Sequence, residues 1–430
     1  MLKNLFTIVG ALLFALSMWI WVQKIAIPHQ QEESAARDAP RGNLSDLYPR
    51  WLGARELLLR HRDPYGDDVT REIQGGYYGR VLDASRPNDP KDQQAFAYPV
   101  YVVLLLAPTV EMPFAAAQRI VFWLFVVLTA ASVLVWLHAL EWRISGTALA
   151  VWILLTLSCF PAIQGIKLQQ LSVLVAALIA AFMYALARRY FIFAGILLAI
   201  ATIKPQLVAL PILWLCIWAI GDWRARQRAV WSFGICLAVL VVAGEFLLPG
   251  WIHEFRAALE AYYQYTGGGK SVLDVALSPM WGRAVSAILV CMFAGMTWQV
   301  RGCDERSFEF QWSFSVALAI TLAVIPMFAP YNQLLLLPAL MVVARSVRSL
   351  WAKNALSRFF VAITALAVFF QWIGAASLVI AMLFLPASDV QKAWGLPFYP
   401  SFAIPITILC LLLLTRGAMQ PTESRSPASI

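Results

Sequence analysis

Two lysines lie in stretches of the chain that are otherwise almost wholly apolar. Lys204 stands between two apolar runs and is followed by Pro205 and Gln206, and Lys167 lies just before another apolar run. A cation at the edge of hydrocarbon is costly, so it either reaches out to the interface or is a functional group. The functional interpretation is a site for the phosphate of an anionic lipid headgroup, at a helix break caused by the proline. Two such lysines at neighbouring turns favour the phosphate site.

Asp46 is the carboxylate best placed for chemistry, because it directly precedes a predicted amphipathic helix. The apolar side chains of that helix fall on one face, which suits a helix lying on a bilayer surface: Leu47, Trp51, Ala54 and Leu58. Asp46 could serve as a cap by accepting backbone N–H bonds at the helix start. It could also be a functional group in a site, and the residues alone leave both interpretations open.

The composition determines the kind of element that must position these groups. Of the 430 residues, 61% are hydrophobic and 13% are charged, against about a quarter charged in soluble domains. The net charge of +9 is scattered singly or in pairs at helix ends and forms no basic stripe, so we predict no nucleic-acid partner. The four histidines are scattered and the six cysteines contain no CxxC pair. We therefore predict no metal and no cofactor.

The sequence predicts an all-α polytopic membrane protein with about twelve transmembrane helices. The predicted spans are apolar runs long enough, or nearly so, to cross the hydrocarbon core: 5–23, 115–140, 147–163, 168–187, 190–203, 205–220, 229–248, 284–300, 310–328, 331–345, 359–382 and 398–415. The run from Tyr98 to Phe114 contains three prolines and Glu111, so we predict that it does not cross.

The distribution of arginine sets the predicted orientation. If the Tyr98–Phe114 run does not cross, the loops containing Arg143, Arg188, Arg224 and Arg345 lie on the same side as the N-terminus. Loops rich in Lys and Arg face the cytoplasm. The chain is therefore predicted to lie in the plasma membrane with both termini cytoplasmic.

Two long outer loops are predicted to form a cap over an active site on the outer face. They comprise residues 23–114 and 249–283, and with the helices they form one predicted domain, 1–415. The second loop contributes His253, a candidate for binding substrate. Residues 416–430 are predicted to be a disordered cytoplasmic tail.

The order of several short motifs resembles glycosyltransferase family 87, whose members are polyprenyl-phosphate-mannose-dependent mannosyltransferases of the GT-C architecture. The resemblance begins with Asp46, the amphipathic helix and the aromatic turn Asp63-Pro64-Tyr65, and extends over roughly residues 40–345. Further matching positions are Tyr98-Pro99, Gln170, the stretch from Ala194-Gly195 to Lys204-Pro205-Gln206, and Tyr331. The chain departs from the family pattern at Gln169 and Ser172, where the family tends to have glycine and asparagine.

The resemblance implies a chemistry for these residues. A hexose, mannose in the family, would pass from a polyprenyl-phosphate sugar to a glycolipid or glycan acceptor with inversion, and Asp46 would deprotonate the acceptor hydroxyl. The donor phosphate would be bound by three side chains: Lys204, Lys167 and Gln206. Other contacts to substrate would come from Tyr98, Gln170, His253 and Tyr331. Neither a metal nor a cofactor is implied.

Two other classes of protein fit parts of the sequence. A secondary transporter also contains broken helices and charges within the membrane, but here the charges cluster at the predicted outer face and both long loops lie on one side. A structural or assembly protein without catalysis is the third interpretation, and the residues alone do not exclude it.

Overall fold

The computed structural model describes residues 2–36, 45–83, 85–86, 89–90, 92–265, 268–326 and 328–419, and these ranges contain helices but no β-strand. Within these ranges, six helices are long and apolar enough to cross a membrane, or up to eight if each of two bent pairs is one span, and four apolar helices are shorter. The all-α polytopic membrane fold is therefore confirmed. The count of twelve spans stays a prediction.

The N-terminal helix is longer than predicted. It consists of α1 (Leu2–Trp21), a π-helical turn (Val22–Ala26) and α2 (Ile27–Ala36). The Ile27 amide donates to the Val22 carbonyl five residues earlier. This wide turn immediately precedes Pro28, which has no N–H of its own to donate. The helix thus continues past the predicted end at residue 23 and into the first predicted loop. Residues 37–44 lie outside the described residues.

After α2, the first cap loop contains three further short helices in its described part: α3 (Leu47–Arg60), α4 (Asp67–Tyr78) and α5 (Val102–Leu106), the last followed by a 3₁₀ turn (Ala107–Thr109). The predicted apolar face of α3 is covered by protein, because α3 packs on α4, α5 and the start of α6 (Phe114–Ala139). The prediction that this face lies on the bilayer is therefore wrong, and the face packs within the cap instead. At 1.5 Å per residue, α5 rises only about 7.5 Å, far short of a crossing.

A run of helices follows α6, several of them joined by tight turns. They are α7 (Gly146–Ser158), α8 (Phe160–Lys167), α9 (Ser172–Ala187), α10 (Phe191–Ala201), α11 (Pro205–Ile220) and α12 (Trp223–Leu247). The axes of α7 and α8 differ by 56° at Cys159. At Gly195, α10 and α12 cross so closely that an added Cβ would lie 2.3 Å from the Ala229 carbonyl oxygen.

The second cap loop contributes α13 (Trp251–Tyr265) and α14 (Val272–Leu277). The chain then forms α15 (Pro279–Gln299), α16 (Phe308–Val324), a 3₁₀ segment (Pro330–Leu336), α17 (Leu337–Arg345), α18 (Val347–Lys353), α19 (Ala355–Ala381), α20 (Ala387–Lys392), a second 3₁₀ segment (Leu396–Phe402), α21 (Ala403–Leu414) and α22 (Arg416–Met419). All residues from Phe310 to Ala323 are buried, so α16 lies at the centre of the bundle. The predicted tail begins with α22, and residues 420–430 lie outside the described residues.

Arginines hold the helix ends together at one end of the bundle. Arg345 donates to the Leu140 carbonyl at the end of α6 (3.0 Å), and Arg306 donates to the Ala187 carbonyl at the end of α9 (3.3 Å). Arg226 is buried against the ring of Trp218 and donates to its carbonyl at 2.8 Å, near the end of α11. The bonds to Leu140 and Ala187 satisfy carbonyls at helix ends, and the bond to Trp218 adds to the one that its carbonyl accepts from the Gly221 amide at 3.2 Å.

Candidate active site

The Asp46 carboxylate is directed away from the helix that it precedes. It makes no capping bond to α3, and the turn is closed by backbone instead, with the Tyr48 amide donating to the Ser45 carbonyl at 2.8 Å. Its Oδ2 accepts a hydrogen bond from Gln170 Nε2, and the Tyr77 hydroxyl lies 3.5 Å from its Oδ1. The helix-cap interpretation therefore does not account for the carboxylate.

Arg50 fixes the backbone at this position. Its Nη1 donates to the main-chain carbonyl of Asp46, one helical turn earlier, and its guanidinium lies 4.7 Å from the centre of the Tyr98 ring. The carboxylate of Asp46 is thus left for other partners, although a cation lies beside its backbone.

Gln170 connects the carboxylate to a buried ammonium group. It lies in the tight turn between α8 and α9, where Gln169 adopts a left-handed conformation with φ 46° and the Gln170 amide donates to the Gly165 carbonyl at 2.8 Å. While its Nε2 donates to Asp46, its Oε1 accepts from Lys204 Nζ at 2.9 Å. Gln170 is 4% exposed and Lys204 is 6% exposed. The amide therefore joins the negative and positive groups in a fixed orientation.

Lys204 is held at the break between two helices. The ammonium also donates to Ser172 Oγ at 2.7 Å, and that hydroxyl donates to Asn332 Oδ1 at 2.7 Å. The break is secured from the cap by the Tyr101 hydroxyl, which lies 3.0 Å from the Thr202 carbonyl oxygen. Pro205 then begins α11. Lys204 consequently lies inside the protein with polar partners and is not a lysine reaching out to the interface.

Two tyrosine rings flank the ammonium group. Lys204 Nζ lies 5.7 Å from the ring centre of Tyr98 and 5.1 Å from that of Tyr331, distances typical of cation–π contact. Burial raises the pKa of the Tyr98 hydroxyl, but the charges of Lys204 and Arg50 outweigh it and lower the pKa overall. Two cations beside one carboxylate make this a site suited to an anion.

The second cap loop contributes to the site through Tyr262 rather than through His253. Burial raises the pKa of the Tyr262 hydroxyl, and the negative charges of Asp92 and Asp46 raise it further. Asp92 is half-buried, and burial followed by the charge of Asp46 raises its own pKa. His253 lies in the first turn of α13 with an exposed side chain.

The remaining predicted site residues occupy the edges of this arrangement. Gln206 lies in the first turn of α11 with an exposed side chain, outside the buried chain of hydrogen bonds. Lys167 is the last residue of α8 and is half-buried. Five of the eight predicted residues, Asp46, Tyr98, Gln170, Lys204 and Tyr331, are thus brought together directly.

Comparison with known proteins identifies the family. The model of glycosyltransferase family 87 matches residues 96–327, more than half of the chain. The chain belongs to glycosyltransferase family 87. No curated protein and no solved structure matches it. This family 87 member is therefore a membrane glycosyltransferase, which replaces the transporter and assembly interpretations.

Because the chain belongs to family 87, the polar cluster around Asp46, Gln170 and Lys204 is the candidate active site for sugar transfer. The matched range contains Tyr98, Gln170 and Lys204, whereas Asp46 and Tyr331 lie outside it. Among the described residues, no group of three or more His, Cys, Asp or Glu side chains is arranged to hold a metal ion. The groups available for chemistry in the described site are one central carboxylate, two cations, amides and tyrosine hydroxyls.

Proposed function

We propose that this protein transfers a hexose from a polyprenyl-phosphate sugar to a glycolipid or glycan acceptor, with inversion at the anomeric carbon. The single observation that carries the proposal is the link from the Asp46 carboxylate through Gln170 to the Lys204 ammonium. A base and an anion-binding cation are the two groups that such a transfer needs. Mannose is the sugar that the resemblance to family 87 implies.

Lys204 and Arg50 are the groups proposed to bind the donor phosphate. As the bond between the anomeric carbon and the phosphate oxygen breaks, the electron pair leaves with the phosphate, and nearby cations stabilise that developing charge. The proposal is supported by the donor geometry of Lys204, whose present partners, Gln170 and Ser172, are neutral groups that a phosphate oxygen could replace. Lys167 and Gln206 remain proposed contacts at the edge.

Asp46 is proposed to act as the general base. The acceptor hydroxyl would give its proton to the carboxylate while its oxygen forms the new bond to the anomeric carbon on the face opposite the phosphate. Asp46 suits this role because its carboxylate makes no helix-capping bond and lies one amide away from the proposed phosphate site. Tyr98, Gln170 and Tyr331 are proposed to contact substrate around it, and Tyr262 takes the place in the second cap loop that the sequence assigns to His253.

We place the site on the outer face of the plasma membrane, with both termini cytoplasmic. Support comes from the two ends of the same helices: α9 and α11 begin beside Ser172 and Lys204, and their other ends are bound by Arg306 and Arg226. Arginine-rich loops face the cytoplasm as a rule. The opposite end, with the site, would then face outward.

The experiment that tests the function is mass spectrometry of glycolipids and cell-surface glycans from a strain lacking this protein. We expect one glycan or glycolipid to lose a hexose residue, and we expect the wild-type gene to restore it while the Asp46→Asn gene does not. If no sugar is missing, or if the Asp46→Asn gene restores it fully, the proposal is wrong.

A further inference from the structure

A cavity of about 390 Å³ lies between the helices beside the Pro330–Leu336 segment, three residues of which line it: Gln333, Leu334 and Leu336. This volume is within the range of about 300–1,000 Å³ typical of ligand sites. Its walls are formed by α7, the start of α8, the Pro330–Leu336 segment, α17 and α19. Representative lining residues are Trp152, Pro161, Leu337, Leu340, Val361 and Phe369.

The walls of the cavity are apolar even where polar residues line it. Gln333 donates its amide to the Ser401 carbonyl at 2.6 Å. Gln371 accepts from the Phe160 amide at 2.6 Å and donates to the Val368 carbonyl at 2.8 Å. Gln333 Oε1 and Thr364 Oγ1 have no hydrogen-bond partner among the described residues, but both atoms are buried beneath the surface, so the surface offered to an occupant is mostly hydrocarbon. The fitting ligand is an aliphatic chain.

The shape of the cavity also suits a chain. Its lining residues on α19 run from Val361 to Trp372, and the eleven steps between these two residues rise about 16 Å along the helix. Phe369 and Val347, at its margin, are each 40% exposed. Since α19 is long and apolar enough to span a membrane, this margin opens sideways toward lipid. A chain could enter from the bilayer without crossing water.

One short segment separates the cavity from the proposed phosphate site. In the Pro330–Leu336 segment, Tyr331 and Asn332 belong to the polar cluster around Lys204, while Gln333 and Leu334 line the cavity. A Cβ at Gly165 would lie 3.4 Å from the Cβ of Tyr331, so α8 closes against the same segment. The phosphate and the chain would thus be bound on adjoining surfaces.

From this arrangement we infer that the cavity binds the prenyl chain of the donor lipid, beginning near the phosphate. The inference rests on the proposed function, since it takes a polyprenyl-phosphate sugar as the donor. The cavity would then select donors by chain length and hold the phosphate beside Lys204.

The test fills the cavity from its open side. Ala365 lines the cavity and is exposed, so Ala365→Trp can place a ring there without disturbing the buried core. Ala362 is exposed on the same helix and does not line the cavity, which makes Ala362→Trp the matched control. Purified protein in nanodiscs is assayed with a long-chain polyprenyl-phosphate mannose and with a short citronellyl-phosphate mannose, and a polyprenyl phosphate with a mid-chain diazirine is crosslinked in parallel.

We expect Ala365→Trp to raise KM for the long-chain donor about fivefold and to leave KM for the short donor unchanged. The effect is modest because the chain leaves lipid rather than water, so only packing is lost. We also expect crosslinks on α7, α17 and α19 in the wild type, reduced in Ala365→Trp and kept in Ala362→Trp.

The inference would be overturned if KM for the long-chain donor were the same in Ala365→Trp as in the wild type. Crosslinks found only outside the cavity would also overturn it. Capture of bilayer phospholipid in the cavity while the probe binds elsewhere would also overturn it. These results leave the proposed function intact, because both donors are still used. Failure of the wild type to use either donor contradicts the proposed function itself, and the inference falls with it.

Discussion

Asp46→Asn separates the catalytic role of the side chain from any structural one. The Asp46 side chain makes no capping bond to α3, so the cost of about 0.5–2 kcal/mol for losing a helix cap does not apply. Asn has nearly the same shape, and its carbonyl oxygen can still accept from Gln170 Nε2. Exchanging a charged acceptor for a neutral one weakens that hydrogen bond by about 1 kcal/mol.

The expected effect on transfer is much larger. Loss of general-base help costs about a hundredfold to ten-thousandfold in rate, or about 2.7–5.4 kcal/mol of activation free energy. We expect the Asp46→Asn protein to fold and to bind the polyprenyl-phosphate sugar through Lys204, but to transfer almost no sugar. The assay measures three quantities: the thermal unfolding midpoint, binding of the donor, and the rate of hexose transfer.

Asp67→Asn is the matched control, because Asp67 lies exposed in the first turn of α4 within the same cap. It removes a cap carboxylate at a distance from Gln170 and should leave the transfer rate unchanged. If Asp46→Asn keeps a near-normal rate, the carboxylate is not the base and the reasoning is refuted. His253→Ala would then be the next variant to assay.

Three further predictions concern the donor site, the packing and the topology. Lys204→Gln should raise KM for the donor about tenfold to a hundredfold, since a charged hydrogen bond contributes about 1.5–3 kcal/mol; an unchanged KM would exclude the phosphate role. Gly195→Ala should destabilise the fold by about 1–3 kcal/mol through overpacking against α12, whereas Gly234→Ala, with open space around its Cβ position, should not; equal unfolding midpoints would contradict this. In a cysteine-free background, Arg71→Cys should react with an impermeant thiol reagent added to intact cells and Arg143→Cys should not, and the reverse pattern would invert the topology.

The central residues of the site were predictable because each lies beside a helix start. Asp46 precedes α3, Gln170 precedes α9 and Lys204 precedes α11. Helices that follow one another through a membrane alternate in direction, so every second helix begins at the same end of the bundle. Polar residues at such ends are therefore brought together, as Asp46 and Gln170 are although 124 positions separate them in the sequence.

Other members of the site were missed because only the folded chain places them. Arg50 resembles an ordinary interfacial arginine, although its spacing of four residues from Asp46 was a signal for contact on a helix. In the second cap loop the sequence predicts His253, whereas Tyr262 is the residue whose hydroxyl lies near the charges of the site. Nine residues of α-helix turn through about 900°, which puts the two on opposite faces of α13, and that helix was not predicted in the loop.

The lengths of the spans were also not predictable from the sequence. Hydropathy does not distinguish one apolar run from another. In the structure, α9, α10, α11 and α16 are shorter than the helices long enough to span a membrane, and two runs bend sharply, at Cys159 and Ser346. Short or bent helices are tolerated where neighbouring helices surround them. Burial by partners distant in sequence, which hydropathy does not contain, therefore decides which runs cross fully.

The most direct test of the central claim uses purified protein in nanodiscs with polyprenyl-phosphate mannose labelled in the sugar, and a total glycolipid extract as acceptor. We predict that label passes to a glycolipid, that polyprenyl phosphate is released in equal amount, and that the new linkage has the anomeric configuration opposite to that of the donor. Transfer from a nucleotide sugar in place of the lipid-linked donor, or retention of configuration, would contradict the account.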